Sequence, residues 1–455
     1  MEECIGISVT GVIGMDMDRQ SFHEAFNKNK IDFIGCDAGS SDGGPYYLGA
    51  SASMLSSYVI EKELEILLLK AREHNIPLLL GSATTGGNRE QLKIQENQVR
   101  AIASKHNLHF RMALIDSELD PDFLKLKLAK GQIRPFEDGA HLPALTEKDI
   151  DNSNHIVAQI GAAPFVKALN DKAEVILAGR ACDDAIFAAV PISKGYDLAL
   201  SLHMGKILEC AAASAEVHTE GIPGRSALLG KIRKDHFLVV PTNEGWASTV
   251  SSVASHDFFE RINPVYQPNA EGMVDLSNTH YEQIDPRTVK ISGTKIIEGH
   301  NTFKLEGTTP IGYRSICLGA IRNPNVIERI DTLITGARKR DEENFGDVEY
   351  ILDIRKFGMD ACLGELEPVK TLPHEVGILI DVVAPTQEIA TAVCGLTRSN
   401  MTEGKFKGQK GHGGNMALPV VPFVIEMGLT YKYSVWHLMD IDNLCEGIKN
   451  TYYEV

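Results

Sequence analysis

Apolar and polar positions follow two different rhythms along the chain, and the change falls near residue 215. Before it, short apolar runs end in glycine and are followed by stretches with helical spacing. Ile5 to Ile13 opens this part, a second strand ends at Ile34, and Pro77 to Leu80, His109 to Ile115, His155 to Gly161 and Val175 to Ala178 read as further strands. Between them Glu61 to His74, Gln91 to His106, Pro121 to Lys130 and a segment from Pro164 to Leu169 have helical character, and Asn75 with Pro77 is a stop signal. A helix is predicted after Gly179 and another over Leu198 to Ala213. Strands alternating with helices predict a doubly wound, mostly parallel sheet.

After residue 215 the runs shorten. H-F-L-V-V-P, E-G-M-V-D-L-S-N-T-H-Y-E-Q-I, R-T-V-K-I-S-G-T-K and T-F-K-L-E-G alternate apolar with polar residues, as antiparallel strands do. Helices are expected within Trp246 to Arg261 and over Ile316 to Leu333, and strands over Asp347 to Gly358 and Val376 to Ala384. Thr386 reads as the N-cap of a helix running to Arg398. The expected fold is α/β: an N-terminal doubly wound sheet followed by a mixed α+β region with antiparallel strands. The expected divisions are residues 1–215, 216–370 and 371–455, the last completing the site or a domain interface.

Composition narrows the function classes. Sixty-one acidic against 45 basic residues in 455 give a net charge of -16, which argues against nonspecific binding to nucleic acid or an anionic membrane. No apolar run approaches the roughly 18 residues of a membrane span, and no basic leader is seen. Eight cysteines without a C-x-x-C pair point to a reducing compartment, so a cytoplasmic protein is expected. Homo-oligomerisation is expected as the usual state of a soluble enzyme.

Chemistry concentrates at the predicted strand ends. The loop Gly35 to Gly49 crowds Asp37, Ser40, Ser41, Asp42, Tyr46 and Tyr47 among glycines, and is read as touching a ligand or as a tight surface turn. Gly81 to Asn88 repeats the pattern with Ser82 and Asn88, and Gln159 ends another run. Neither loop is a G-x-G-x-x-G or Walker sequence, so no nicotinamide, flavin or nucleoside triphosphate is inferred. Arg180, Asp183 and Asp184 follow the strand Val175 to Ala178, where open α/β sheets bind ligands. His203, Lys206 and Glu209 recur at helical spacing. Late in the chain Lys405, Lys407, Lys410 and His412 form a basic glycine-rich loop, and His141 lies in the loop Pro135 to Leu145. There is no G-x-S-x-G elbow for hydrolytic chemistry.

D-A-G-S-S-D-G-G-P-Y-Y-L-G, H-I-V-A-Q-I-G, A-G-R-A-C-D-D-A-I-F-A-A, H-M-G-K-I-L-E-C and G-G-N-M-A-L-P, in this order, resemble the acyclic terpene utilisation AtuA-like family over nearly the whole chain. Relatives that read A-G-R-A-x-D-P have proline where this chain has Asp184. The resemblance implies breakdown of branched carboxylic acids by a two-component lyase or hydratase, with a small AtuC-like partner protein.

Moving water at a carbon beside a carboxylate needs a cationic clamp, a base and an acid. Arg180 and Arg314 are the candidate clamps, Asp183, Asp184 or Glu209 the base, and His203 the acid or its partner. Asp37, Ser40, Ser41, Asp42, Tyr46, Ser82, Asn88, Gln159, Arg314 and Asn415 are expected to bind substrate. Asp183, Asp184, His203 and Glu209 would suit magnesium or manganese, so the cofactor is expected to be none or a divalent metal. The plainer reading is that Arg180 and Asp183 form a structural ion pair and His203 packs in a helix interface. The expected function is a hydro-lyase acting on a small branched or unsaturated acid such as mesaconate or citramalate, or on its coenzyme A thioester. The alternative is a non-catalytic subunit that binds a carboxylate or acyl-coenzyme A.

Overall fold

A computed structural model describes residues 3–136, 142–219, 225–259, 263–299, 301–411 and 413–455. His141 and His412 lie outside the described residues. The chain divides into two compact units, one of residues 1–309 with 433–455 and one of residues 310–432.

Among the described residues the first unit holds a ten-stranded sheet. Its centre is five parallel strands in the spatial order Cys4–Ser8, Phe33–Asp37, Leu78–Gly81, Val175–Ala178 and Arg111–Asp116. These strands read as unbroken apolar runs because both faces are covered. Ile34, Leu78, Leu80 and Val175 face one core, shared with helices Arg19–Lys28, Ser57–Glu73 and Arg89–His106. Phe33, Leu79 and Ile176 face the other, shared with Ala163–Asn170, Asp183–Ser193 and Leu198–Leu208. The sheet is doubly wound, as the alternation predicts.

Its flanks differ from expectation. Leu228–Ile232 pairs antiparallel with Cys4–Ser8 over five residue pairs, and His236–Pro241, Thr288–Ser292 and His280–Asp285 follow outward. Lys449–Glu454 closes the opposite edge against Arg111–Asp116. An edge strand exposes a row of unpaired backbone groups, and these antiparallel strands fill both rows. The expected boundary at 215 therefore runs through one continuous sheet, and the expected segment 371–455 is split between the two units. His155–Gln159 also leaves the parallel alternation: it pairs antiparallel with the start of the long strand Thr302–Ile321, Gln159 opposite Lys304.

In the second unit the strand residues Tyr313 to Ile321 pair with Val376–Ala384, which pairs in turn with Ile351–Phe357. Helices Ile330–Phe345 and Gln387–Glu403 share its core. Thr386 is the N-cap, its side chain accepting from the Ile389 N–H. The helix expected over Ile316 to Leu333 is present only in its second half, as Pro324–Ile327 and the start of Ile330–Phe345. Its first half is a correction: Ser315, Cys317, Gly319 and Ile321 are buried in the alternation of a strand, opposite Val382, Ile380, Ile378 and Val376. The helix expected over Leu198 to Ala213 ends at Leu208, with a separate 3-10 turn Ala211–Ser214.

Candidate active site

Three loops at the carboxyl ends of the parallel strands meet backbone to backbone. A Cβ on Gly39 would stand 2.1 Å from Thr85 Cα, and one on Gly87 would stand 2.3 Å from the Arg180 nitrogen. Only glycine permits this closeness. Ser82, Thr84 and Thr85 take φ of 53°, 50° and 89°, a left-handed region that costs non-glycine residues about 1–3 kcal/mol each. Bonds from the Ser82 N–H to Gly179 O, from Ala83 to Ala178 O and from Thr85 to Ala38 O hold the loop there. Ser82 Oγ is thereby set beneath Arg180.

Arg180 is 3% exposed and its fork is occupied. Nε donates to Glu306 Oε2 at 3.0 Å, and Nη1 donates to Ser82 Oγ at 2.9 Å, to Ala181 O at 3.0 Å and to Asp183 Oδ1 at 3.5 Å. Burial opposes the guanidinium charge, but Glu306 and Asp183 hold it firmly protonated. Burial likewise opposes the Glu306 charge, and Arg180 with Lys304 brings that carboxyl down to about 2. Lys304 Nζ lies 3.0 Å from Glu306 Oε1 and 3.6 Å from the centre of the Trp436 ring. Ser41 Oγ donates to Glu306 Oε1 at 3.2 Å, and the Tyr433 hydroxyl donates to Ser41 O at 2.9 Å. The loop holding Ser41 is thus fastened over the pair.

Beside this pair opens a cavity of about 610 Å³, lined by Gln159, Cys182, Lys206, Tyr266, Asn269 and Lys304 among others. Directly behind its wall sits Asp184, whose Oδ2 accepts from Asn269 Nδ2. Its Oδ1 has no hydrogen-bond partner among the described residues. Burial, then Glu271, pushes Asp184 up to about 7, with Lys206 acting against them. Glu271 is raised by burial as well, although it accepts from the Ala162 N–H. Glu209 pairs with Lys206, yet burial together with Asp183 and Asp184 raises it. Asp37 is raised by burial and by Asp183, and it accepts from the Ala38 and Gly39 amides. Asp184, Glu209 and Asp37 are thus linked to one another through Asp183, with Lys206 beside Asp184 and Glu209 and Lys304 beside Glu306. That is the electrostatic form of an acid–base site.

Not every expected residue joins it. His203 is fully buried, with Nδ1 2.7 Å from Thr294 Oγ1 and Nε2 3.0 Å from Asp257 Oδ2, so both ring nitrogens are engaged inside the helix–sheet interface. Its expected role as acid gives way to packing. Asn88 caps helix Arg89–His106, its Oδ1 accepting from the Gln91 N–H at 2.9 Å. Ser40 Oγ accepts from the Asp42 N–H, Asp42 is exposed, and Tyr46 is 42% exposed against Tyr47. In the second unit Arg314 pairs with Asp381 at 3.1 Å. Asn415 there donates to Gly404 O at 2.7 Å and braces the glycine-rich loop. Within that unit Arg329, Lys407 and Lys410 line a polar cavity of about 460 Å³.

The expected metal set does not assemble, because His203 is turned to Asp257. Glu209 instead groups with Cys210 and His256, their ligand atoms within 4.8 Å of one another. Lys206 also belongs to the neighbourhood of that group, through its ion pair with Glu209 and its carbonyl 3.2 Å from His256 Nε2.

Lys206, which helical spacing sets with His203 and Glu209, has no expected role, and Asn269, Glu271, Lys304 and Glu306 are missing from the expected set. The signal for the last two was present: opposite charges two positions apart in T-F-K-L-E-G stand on one face of a strand.

Fold and site define an α/β protein that buries an acid–base cluster at the carboxyl ends of its parallel strands. The chain belongs to the acyclic terpene utilisation family AtuA, whose model matches residues 59–429. No curated protein sequence and no solved structure matches it. Among the described residues no helix is long and apolar enough to cross a membrane.

Proposed function

We propose that the chain is a hydro-lyase adding or removing water on a small branched or unsaturated carboxylic acid, free or as its coenzyme A thioester. The observation that carries this reading is Asp184: a buried carboxyl near neutrality, one oxygen unpartnered among the described residues, behind the wall of a cavity that presents Lys206 and Lys304. In this reading the lysines face the substrate carboxylate, and Asp184 takes the proton from the adjacent carbon. Glu209, raised by burial, returns a proton to the departing hydroxyl, and water leaves. Arg180 acts one layer back, fixing Glu306 and so the position of Lys304, rather than clamping substrate itself.

The test follows deuterium from heavy water into a panel of unsaturated and hydroxylated dicarboxylates by NMR. It is run with and without magnesium or manganese and with and without an AtuC-like partner. Exchange in the parent chain and its loss in a folded Asp184→Asn variant is the expected result. Parent-rate exchange in that variant sinks the assignment of Asp184. Saturable binding without exchange under every combination makes the chain a non-catalytic carboxylate-binding subunit.

A further inference from the structure

Away from this cavity, three side chains from three separate segments stand in a hydrogen-bonded line. His155, the first residue of strand His155–Gln159, places Nδ1 2.8 Å from Glu118 Oε1 and Nε2 3.3 Å from Ser51 Oγ. The Ser51 contact is somewhat long, as such contacts are before substrate tightens them.

The direction of each hydrogen in the line follows from its neighbours. Glu118 Oε2 accepts from the Arg89 N–H at 2.8 Å, where helix Arg89–His106 begins. Burial raises the Glu118 carboxyl, but the His155 bond and the Arg89 amide outweigh it and leave the group below the usual carboxylate range. An ionised Glu118 only accepts, so His155 Nδ1 carries the hydrogen and Nε2 offers its lone pair. Asn88 Nδ2 donates to Ser51 Oγ at 2.9 Å, and Asn88 is itself fixed by its capping bond to Gln91. The remaining Ser51 hydrogen therefore points to His155.

Two further features separate this line from ordinary packing. Ser51 has φ of 50° just beyond the short helix Pro45–Gly49, a left-handed conformation of the kind that collects at functional positions. His155 and Glu118 are each 13% exposed, whereas the His203–Asp257 pair is 0% exposed. A cavity of about 440 Å³ lined by Arg89, Lys93, Glu118 and His155 reaches the imidazole from solvent.

We propose that Ser51, His155 and Glu118 form a second active site that hydrolyses carboxylic esters or thioesters with small acyl groups. Ser51 Oγ bonds to the acyl carbon while its proton passes to His155 Nε2. The carbon–oxygen or carbon–sulfur bond of the substrate breaks, and the leaving group takes that proton as an alcohol or thiol. Water then attacks the acyl-serine and gives a proton to His155. The acyl–Oγ bond breaks, Ser51 regains the proton, and the carboxylic acid departs. Glu118 orients the imidazole and balances its charge throughout. The roles arrive in the chain order Ser, Glu, His with no local motif, and geometry alone identifies them.

The experiment treats the whole parent chain with a fluorophosphonate probe and locates the adduct by peptide mass spectrometry, then measures hydrolysis of p-nitrophenyl acetate. The expected adduct is on Ser51, with hydrolysis falling at least ~10²-fold in Ser51→Ala and His155→Gln. Glu118→Gln is expected to lower kcat with little change in KM. No adduct on Ser51 in the folded parent chain overturns the proposal, as does a folded His155→Gln variant that retains parent hydrolysis. The labelling arm needs no variant, so misfolding of a mutant does not affect its outcome.

Discussion

Arg180 and Glu306, 126 positions apart, meet at 3.0 Å with both side chains almost wholly buried. Removing one partner strands the other charge in the interior. Glu306→Gln is therefore expected to cost about 3–5 kcal/mol in urea denaturation. The double replacement Arg180→Met with Glu306→Leu is expected to recover most of that stability while abolishing activity. A single variant as stable as the parent would mean that the pair is solvated.

Asp184 should make stability fall as pH rises. Its folded pKa, about 7, lies above the roughly 3.9 of an unfolded aspartate. Below the lower value both states are protonated and nothing is lost; between the two the unfolded chain releases a proton that the folded chain keeps. Above about 7 the whole cost, on the order of 4 kcal/mol, is present. Glu209, Glu271 and Asp37 are raised too and add in the same sense. Asp184→Asn should flatten this decline between about pH 4 and 7, measured by denaturant midpoints. An unchanged slope would contradict the assignment.

His203→Ala is expected to lower stability by about 3 kcal/mol, since it leaves Asp257 short of a partner and opens a gap against Phe237. The folded fraction should keep its turnover. A hundredfold fall in kcat with an unchanged melting temperature would return His203 to the chemistry.

Gly39→Ala brings a methyl group into the Thr85 backbone, which has no flexible end to move aside. Loss of activity with a drop of several kcal/mol in stability is expected, read by calorimetry. Ala at Gly408, where nothing lies within 4 Å but φ is +91°, should cost only about 1 kcal/mol.

Local elements were legible wherever local physics sufficed. Val175–Ala178 and Val376–Ala384 match the sequence reading residue for residue, because an unbroken apolar run in a strand follows from burial on both faces and strict alternation from burial on one. Thr386 could be placed as a cap because the bond it makes is three residues away. The cluster around Arg180, Asp183 and Asp184 was visible as charge at a strand end. Partners were not visible. Ile316 to Ile321 is strand because Val376–Ala384 lies beside it, and the same composition standing alone reads equally well as helix.

What the amino-acid sequence by itself determined is the order of strands and helices, the doubly wound core and the place where charge gathers, since these depend on spacing within about ten residues. What only the tertiary structure decided is who faces whom: Glu306 rather than substrate on the Arg180 fork, Asp257 on His203, and His155 between Ser51 and Glu118. Those meetings depend on which strand fills which sheet edge, and the free energy that selects one edge over another is spread over the whole packed core.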